Sequence, residues 1–172
     1  MLKLFRKRGK IEKDLYRTVK IFGETISVRV IYKKLKNPEL DLVGNIINVY
    51  LPNKYKRSGN IEIVKLAIEK MYQEIARVEI EKVMEETRIM LKGLAPENYE
   101  IRKLSNKLSK LTLERVIIIN PEIVKYNKQV LKYVILHEFC HLKYKTHSKG
   151  FYKMMQKYMP EYESYEYIEQ VA

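Results

Sequence analysis

The side chains of this sequence best suited to chemistry are its three histidines, which all lie within one short stretch. Two of them frame a glutamate in the segment His137-Glu138-Phe139-Cys140-His141, an H-E-x-x-H arrangement. On a helix, this spacing is typical of sites in which the two histidines bind zinc and the glutamate acts on a water molecule. The motif therefore predicts zinc-assisted activation of water.

Helix geometry explains why these residue types suit that chemistry. Residues i and i+4 lie one turn apart on the same face, so His137 and His141 can bind a single ion together. Glu138 is rotated by about 100° around the helix, beside the open position of the metal, where it can accept a proton from water. A catalytic zinc site needs a third protein ligand, and His147, six residues after His141, is the leading candidate. A downstream carboxylate could take its place, from among Glu161, Glu163 and Glu166.

The same residues also have a purely structural interpretation. His137 and His141 could be half-buried side chains that bond to backbone carbonyl groups, Glu138 could pair with a lysine, and His147 could be an exposed turn residue. Against this, burying two histidines and a glutamate on an almost wholly apolar helix is costly unless something compensates their polar groups. A bound metal supplies that compensation, so zinc binding is the favoured prediction.

Other side chains near the motif are assigned supporting roles. Cys140 points to another face of the helix and is predicted to be a small core residue, not a nucleophile. Because it is the only cysteine in the chain, neither an internal disulfide nor a zinc–thiolate cluster can form. A tyrosine hydroxyl could stabilise the oxyanion of a tetrahedral intermediate, and the candidates are Tyr144, Tyr152 and Tyr158.

The elements that must position the motif are mainly helical. The motif lies within residues 128–143, which are apolar almost all round and predict a buried helix. A β-branched strand is predicted at 116–119, and a final helix is predicted at 149–158. Upstream, apolar residues at three- and four-residue steps predict one long amphipathic helix, with Asn60 as its N-cap and Gly93 as its C′ residue.

Two β-hairpins are predicted ahead of the long helix. The first turns at Gly23-Glu24, with glycine at the first central position as a type II′ turn prefers. The second turns at Gly44-Asn45, and both hairpins are expected in one antiparallel sheet. The predicted fold class is therefore α+β, with N-terminal antiparallel β-hairpins, a long helix, and a buried zinc-binding helix in the C-terminal half.

The length and charge of the chain limit its organisation and its partners. With 172 residues it is predicted to be a single domain, 1–172, mainly β and basic over 1–60 and mainly α with the active site over 61–172. No apolar run approaches the roughly 20 residues of a membrane span, and the basic start lacks the apolar region of a secretory signal. We therefore expect a cytoplasmic protein without membrane contacts. The net charge of +13 could attract nucleic acid or acidic partners.

A longer stretch around the motif carries more information. It reads Tyr133-Val-Ile-Leu-His-Glu-Phe-Cys-His-Leu-Lys-Tyr-Lys-Thr-His-Ser-Lys-Gly-Phe-Tyr152 and is followed by Met159-Pro160. This stretch resembles the YgjP-like metallopeptidases, relatives of the WLM and SprT-like zincins. The resemblance is close over residues 84–160 and looser over the N-terminal hairpins. It implies a zincin-like fold, with zinc held by His137, His141 and His147 and with Glu138 as the catalytic residue.

The sequence also departs from the family pattern. Members usually carry a Trp-Gly-Ser-Cys stretch before the strand that leads into the zinc helix. The corresponding region here reads Arg102-Lys-Leu-Ser-Asn-Lys107, and the chain contains no tryptophan. The wall of the cleft on the substrate side is therefore expected to differ from that of other members.

The sequence supports three functional hypotheses. The leading one is a zinc-dependent metallopeptidase that cleaves peptide or protein substrates, with water activated by zinc and by Glu138 as general base. The alternative is a basic, nucleic-acid-associated module with a structural or inactive metal site, and the third is a fold that kept the motif but lost activity. If the strand at 116–119 is an edge strand, a peptide substrate could add to it as a further strand.

Overall fold

The computed structural model describes residues 17–56 and 61–168, and these residues form seven strands and three α-helices. The strands are β1 (Arg17–Ile21), β2 (Glu24–Lys33), β3 (Glu39–Val43), β4 (Ile46–Pro52), β5 (Asn98–Ile101), β6 (Ser109–Leu111) and β7 (Val116–Ile119). The α-helices are α1 (Ile61–Met90), α2 (Lys128–His141) and α3 (Lys149–Tyr158). Short 3-10 segments cover Asn53–Lys56, Pro121–Lys125 and Tyr162–Tyr165. The predicted α+β class is confirmed for this part of the chain.

The described residues divide into two compact units. The first contains residues 17–19, 25–56 and 61–70, and the second contains residues 20–24 and 71–168. The H-E-x-x-H motif lies in the second unit, so the site is built from the residues of that unit.

The first sheet has the strand order β1-β2-β4-β3. β3 and β4 form the predicted hairpin, with Val43 opposite Ile46, but β4 pairs with β2 in parallel. The prediction of an antiparallel sheet is therefore wrong, because the sheet is mixed. Burial explains the order: Ile47, Val49 and Leu51 of β4 are fully buried, whereas β3 is mostly exposed. The most apolar strand takes a central place, and the polar strand is left at the edge.

The turn between β1 and β2 also differs from the prediction. Its central residues are Phe22 and Gly23, with φ angles of 50° and 88°, whereas Glu24 already belongs to β2. Positive φ at both central residues is the requirement of a type I′ turn, not of the predicted type II′ turn. Positive φ is strained for phenylalanine, and tertiary contacts offset the strain. The N–H groups of Phe22 and Gly23 donate to the carbonyls of Val124 (2.7 Å) and Lys125 (3.2 Å).

The long helix is confirmed, and its C-terminal end is closed by two hydrogen bonds. The N–H of Gly93 donates to the carbonyl of Arg88 (3.0 Å), and the N–H of Lys92 donates to that of Ile89 (3.1 Å). In this arrangement Lys92, with φ 53°, is the C′ residue, and Gly93, with φ 87°, is the residue after it. The predicted N-cap, Asn60, lies outside the described residues. No helix within the described ranges combines the length and apolar character that crossing a membrane requires.

The second sheet has the order β5-β7-β6, with β7 parallel to β5 and antiparallel to β6. The strand predicted at 116–119 is confirmed as β7, and its Ile117 and Ile119 are fully buried. It is the central strand, so the idea that it is an edge strand is wrong. β5 and β6 were not predicted, because their short polar sequences show little alternation. The edge beside the motif is β6, whose residue Ser109 pairs with Ile119.

Candidate metal centre

α2 brings the H-E-x-x-H residues into the core of the second unit. Asn127 caps the helix, since its side chain accepts a hydrogen bond from the Val130 N–H at 3.0 Å. Residues 133–140 are all buried, with His137 9% exposed and Glu138 5% exposed. Polar groups at this depth need partners to offset their lost hydration, so their immediate neighbours decide what they can do.

The three histidines converge through their Nε2 atoms. The Nε2 of His141 lies 2.9 Å from that of His137 and 3.1 Å from that of His147, and the remaining separation is also 3.1 Å. Nitrogen ligands at about 2.0–2.1 Å from a tetrahedral zinc ion lie roughly 3.3 Å apart, so a slight spreading of the three rings accommodates the ion. The structure thus brings the three predicted ligands together, and they can hold one metal ion.

A second hydrogen bond orients His141 for this role. Its Nδ1 lies 2.9 Å from the carbonyl oxygen of Tyr144, and because a carbonyl can only accept, Nδ1 carries the proton. The lone pair then resides on Nε2, which is the tautomer a metal ligand needs. Burial lowers the pKa of His141. The hydrogen bond to the Tyr144 carbonyl raises this pKa, and the neighbouring His137 lowers it further. This combination of contacts favours a neutral imidazole.

Phe151 of α3 packs against all three imidazole rings. Its ring centroid lies 4.9 Å from that of His137, 4.8 Å from that of His141 and 4.7 Å from that of His147. Phe151 is 1% exposed, so it forms an apolar support behind the cluster. This role of Phe151 was not predicted from the sequence. Phe151 and Met155 do form an apolar i, i+4 pair on the predicted helix.

His147 is exposed and takes its position from the turn between α2 and α3. The next residue, Ser148, caps α3 by accepting a hydrogen bond from the Phe151 N–H at 3.4 Å. Within the turn, the ring of Tyr144 lies so close to Gly150 that an added Cβ would come within 2.7 Å of its Cε1 atom. The turn that places His147 beside the other two histidines thus depends on the close approach of the Tyr144 ring to Gly150, which glycine permits because it has no Cβ.

Glu138 lies beside the cluster and is held from the neighbouring strand. The Ser109 hydroxyl donates a hydrogen bond of 2.6 Å to its Oε1 atom, a short distance typical of a charge-assisted bond. Sequence analysis did not identify Ser109, because its contact depends on the register of a three-residue strand.

A cleft of about 1000 Å³ opens onto His137, His141 and Glu138. The β6 strand forms one wall, and the loop before it contributes Asn106 and Lys107. This loop belongs to the stretch at 102–107 that departs from the family pattern. Tyr133 also lines the cleft, with its ring 5.8 Å from that of His137.

The other residues singled out from the sequence lie elsewhere. Cys140 is fully buried with its Sγ 3.5 Å from the Sδ of Met155, and burial raises its pKa to about 12, so it is a core residue as predicted. Within the described ranges, the cluster of convergent donors does not include the three alternative carboxylates, Glu161, Glu163 and Glu166. Among the described residues that line the cleft, the three candidate oxyanion tyrosines, Tyr144, Tyr152 and Tyr158, are absent.

One protein family and two solved structures are similar to this chain. The model of a family described as YgjP-like, metallopeptidase domain, matches residues 3–168. No curated protein matches the chain.

Two solved structures are similar to part of the chain. One is the crystal structure of the metallopeptidase zymogen abylysin from Pyrococcus abyssi, with 24% identity and a TM-score of 0.47, covering 52% of this chain and 90% of that chain. The other is the crystal structure of the metallopeptidase zymogen jannalysin from Methanocaldococcus jannaschii, with 24% identity and a TM-score of 0.46, covering 54% of this chain and 97% of that chain.

Proposed function

We propose, because this chain belongs to the YgjP-like metallopeptidase family, that it is a zinc-dependent peptidase with a zincin-like active site. Family membership supports a metal-dependent peptidase, and the proposal adds the metal and the residues. His137, His141 and His147 hold zinc, and Glu138 is the general base. The observation that carries the proposal is the convergence of three Nε2 atoms, 2.9–3.1 Å apart, beside a cleft that His137, His141 and Glu138 line.

The mechanism follows from the chemistry of these groups. When bound, zinc would lower the pKa of a water molecule and polarise the scissile carbonyl. Glu138 accepts a proton from the attacking water as the oxygen adds to the carbonyl carbon, and it then delivers that proton to the leaving nitrogen as the C–N bond breaks. Ser109 orients the carboxylate through its bond to Oε1. Tyr144 orients His141 through its backbone carbonyl.

The edge strand β6 supports a specific mode of substrate binding. In the described sheet, β6 pairs with β7 along one side only, and its residue Ser109 contacts Glu138. A peptide that adds to the free side of β6 as a further strand would run past the general base. This replaces the earlier idea of addition to β7, which is central in the sheet.

The alternative function, a nucleic-acid-associated module with a structural metal, is less well supported. A structural zinc site is closed by four protein ligands, whereas a catalytic site keeps one position open. In the described part of the chain, three donors converge, and two of them, His137 and His141, line an open cleft. The basic composition remains compatible with nucleic-acid contact, and competition between single-stranded DNA and a peptide for the protein tests this.

The test of the proposal is cleavage of an unfolded protein by zinc-loaded protein. We expect cleavage that a chelator abolishes and that added zinc restores, and we expect Glu138→Gln to lose at least about a thousandfold in kcat while it keeps one zinc per chain. The matched control is Glu114→Gln, which neutralises another carboxylate of the cleft wall and should keep the wild-type kcat. Equal cleavage by the Glu138→Gln and wild-type proteins would refute the mechanism.

A further inference from the structure

Positive charge predominates among the described charged side chains that line the cleft beside His137 and His141. Among the described residues that line it, five side chains are basic and two are carboxylates, Glu114 and the general base Glu138. The basic residues, called here the cleft cations, are Lys107, Lys110, Arg115, Lys143 and Lys145. All five are exposed. Bound zinc would add further positive charge, so the cleft presents a cationic surface to an incoming chain.

The lysines among the cleft cations are not neutralised by the protein itself. Elsewhere in the second unit, seven basic side chains lie within 4.0 Å of a carboxylate, in the pairs Arg77–Glu74, Arg88–Glu85, Arg102–Glu100, Lys103–Glu122, Lys125–Glu122, Lys128–Glu79 and Lys132–Glu86. By contrast, Lys107, Lys110, Lys143 and Lys145 form no ion pair with any residue in the described ranges. Unpaired positive charge is thus present where a substrate would lie.

The arrangement of the cations follows the direction of β6. Ser109, at the start of the strand, contacts Glu138, and Arg115, after its end, donates to the carbonyl of Leu142 at 3.3 Å. Glu138 and Leu142 are one helical turn apart, so β6 and α2 run in the same direction along the cleft. Lys107 therefore lies beyond one end of the site. Arg115 and the two lysines after α2 lie beyond the other end.

We propose that the substrates of this enzyme are acidic polypeptide segments, with carboxylate side chains on both sides of the scissile bond. Lys107 contacts the acidic residues on one side. Lys110, which follows Ser109 in β6, contacts those on the other side together with Lys143 and Lys145. This inference rests on the proposed peptidase function, and it assigns the cleft lysines as specificity-determining residues. Arg115 contributes less charge, since its Nε lies 3.9 Å from a carboxylate oxygen of Glu97 and it also donates to the carbonyl of Ala95 at 3.4 Å.

Charge of this kind acts mainly on encounter and binding of the substrate. Each exposed lysine is expected to change kcat/KM about two- to fivefold, and four acting together should give about a tenfold or larger preference for acidic over neutral substrates. The preference should appear chiefly in KM, because the lysines do not touch the reacting atoms. It should weaken strongly at high salt, since exposed charges are screened.

The test uses quenched-fluorescent peptides with the zinc-loaded full chain. All peptides share four central residues, taken from a cleavage site mapped in the unfolded protein substrate, and carry three Glu, Gln or Lys residues on each side. We expect kcat/KM to fall about tenfold from the Glu peptide to the Gln peptide and again to the Lys peptide. In 500 mM NaCl, roughly a 4 Å Debye length, most of this difference should disappear.

Two fourfold variants with the same charge change identify the residues responsible. In the first, Lys107, Lys110, Lys143 and Lys145 are replaced by Gln, which should remove most of the preference for the Glu peptide over the Gln peptide. In the control, four exposed lysines outside the cleft wall, Lys36, Lys65, Lys92 and Lys153, are replaced by Gln. The control should retain the preference. Equal loss in both variants would assign it to net charge and overturn the inference.

A binding measurement separates this inference from the proposed function. Fluorescence anisotropy with the zinc-loaded Glu138→Gln protein should show about tenfold tighter binding of the Glu peptide than of the Gln peptide. Cleavage of all peptides at equal rates, with equal binding, would leave the peptidase function intact and overturn the acidic preference. Preferential binding of the Glu peptide without cleavage of any peptide by the wild-type protein would support acidic recognition and overturn the peptidase function.

Nucleic acid is the competing polyanion. Single-stranded DNA of equal charge is added to the anisotropy assay as a competitor. We expect the Glu peptide to bind at least as tightly as the DNA. Tight DNA binding that the cleft variant loses, together with no preference among the peptides, would assign the cleft lysines to nucleic acid and overturn the inference.

Discussion

The hydroxyl of Ser109 on β6 donates a hydrogen bond of 2.6 Å to Oε1 of Glu138 on α2. This contact joins the strand along which a substrate would bind to the residue that would accept the proton of water. A buried carboxylate, here 5% exposed, can adopt more than one orientation unless a donor holds it. Ser109 is therefore a positioning residue in the proposed mechanism.

Replacing Ser109 by Ala should lower kcat about tenfold, since a hydrogen bond to a charged group contributes about 1.5–3 kcal/mol and part of that is lost in the reaction. KM and zinc content should be unchanged, because Ser109 binds neither the metal nor the bulk of the substrate. Ser109→Thr keeps the hydroxyl and should recover most of kcat. The exposed Ser105→Ala in the preceding loop serves as the control. Full kcat in the Ser109→Ala protein would exclude a positioning role.

The Ser109 contact also shows which part of the site could not be predicted from the sequence. The H-E-x-x-H residues could be predicted because i, i+4 spacing on a helix is a local property, and His147 could be added because it follows closely. Ser109 lies 29 positions before Glu138, and its contact depends on how β6 pairs with β7. A three-residue strand has too little alternation to reveal that pairing. Phe151 was missed for a related reason, since an apolar helix face does not identify what it packs against.

His147 is the exposed member of the histidine cluster, and its replacement separates metal binding from folding. His147→Ala should leave the thermal stability of the metal-free protein within about 0.5 kcal/mol, as exposed substitutions usually do. It should reduce zinc affinity by a factor on the order of a hundred or more, because a three-ligand site becomes a two-ligand site. The zinc-induced rise in Tm should shrink accordingly.

The adjacent Thr146→Ala provides the matched control for this experiment, since Thr146 is also exposed and uses only its backbone carbonyl to accept from Ser148. Zinc affinity should be measured by competition with a chromogenic chelator, and Tm by calorimetry with and without zinc. Unchanged zinc affinity in the His147→Ala protein would indicate that another group supplies the third ligand.

Phe151 supports the three imidazoles from behind, and its loss should destabilise both the fold and the site. Phe151→Ala should lower the free energy of unfolding by about 3–5 kcal/mol, as for other buried phenylalanines. Phe151→Leu fills most of the volume and should cost less than half as much. Urea denaturation of the metal-free proteins measures these values. A saturating concentration of zinc should restore part of the stability, because zinc binds the folded state.

The first sheet could be predicted only in part, for a physical reason. Its hairpin at Gly44-Asn45 and the alternation of β2 are local features, and both appear in the structure. The parallel pairing of β2 with β4 results from competition among strands for the central place, which depends on total burial. The positive φ of Phe22 likewise depends on distant carbonyls at Val124 and Lys125. No local pattern encodes either outcome.

Asn120 connects the loop at 102–108 to the rest of the second unit. It is 5% exposed, and its Nδ2 donates to the carbonyls of Leu104 (3.1 Å) and Lys107 (3.0 Å). Its Oδ1 accepts from the Glu122 N–H (3.1 Å), which caps the following 3-10 segment. One side chain thus positions the loop that contributes Lys107 to the cleft wall.

Asn120→Asp keeps the capping acceptor but removes both donors, so it tests the loop contacts separately from the cap. The two carbonyls then lose their partner and face a carboxylate, and we expect a loss of about 2–4 kcal/mol in the free energy of unfolding. Because β6 follows the loop directly, a displaced loop should also displace β6. We therefore expect kcat/KM to fall even at temperatures where the variant is fully folded. Asn127→Asp, which alters an N-cap on α2 and leaves its acceptor in place, is the control and should be nearly neutral. Equal behaviour of the two variants would show that the loop before β6 is held by other contacts.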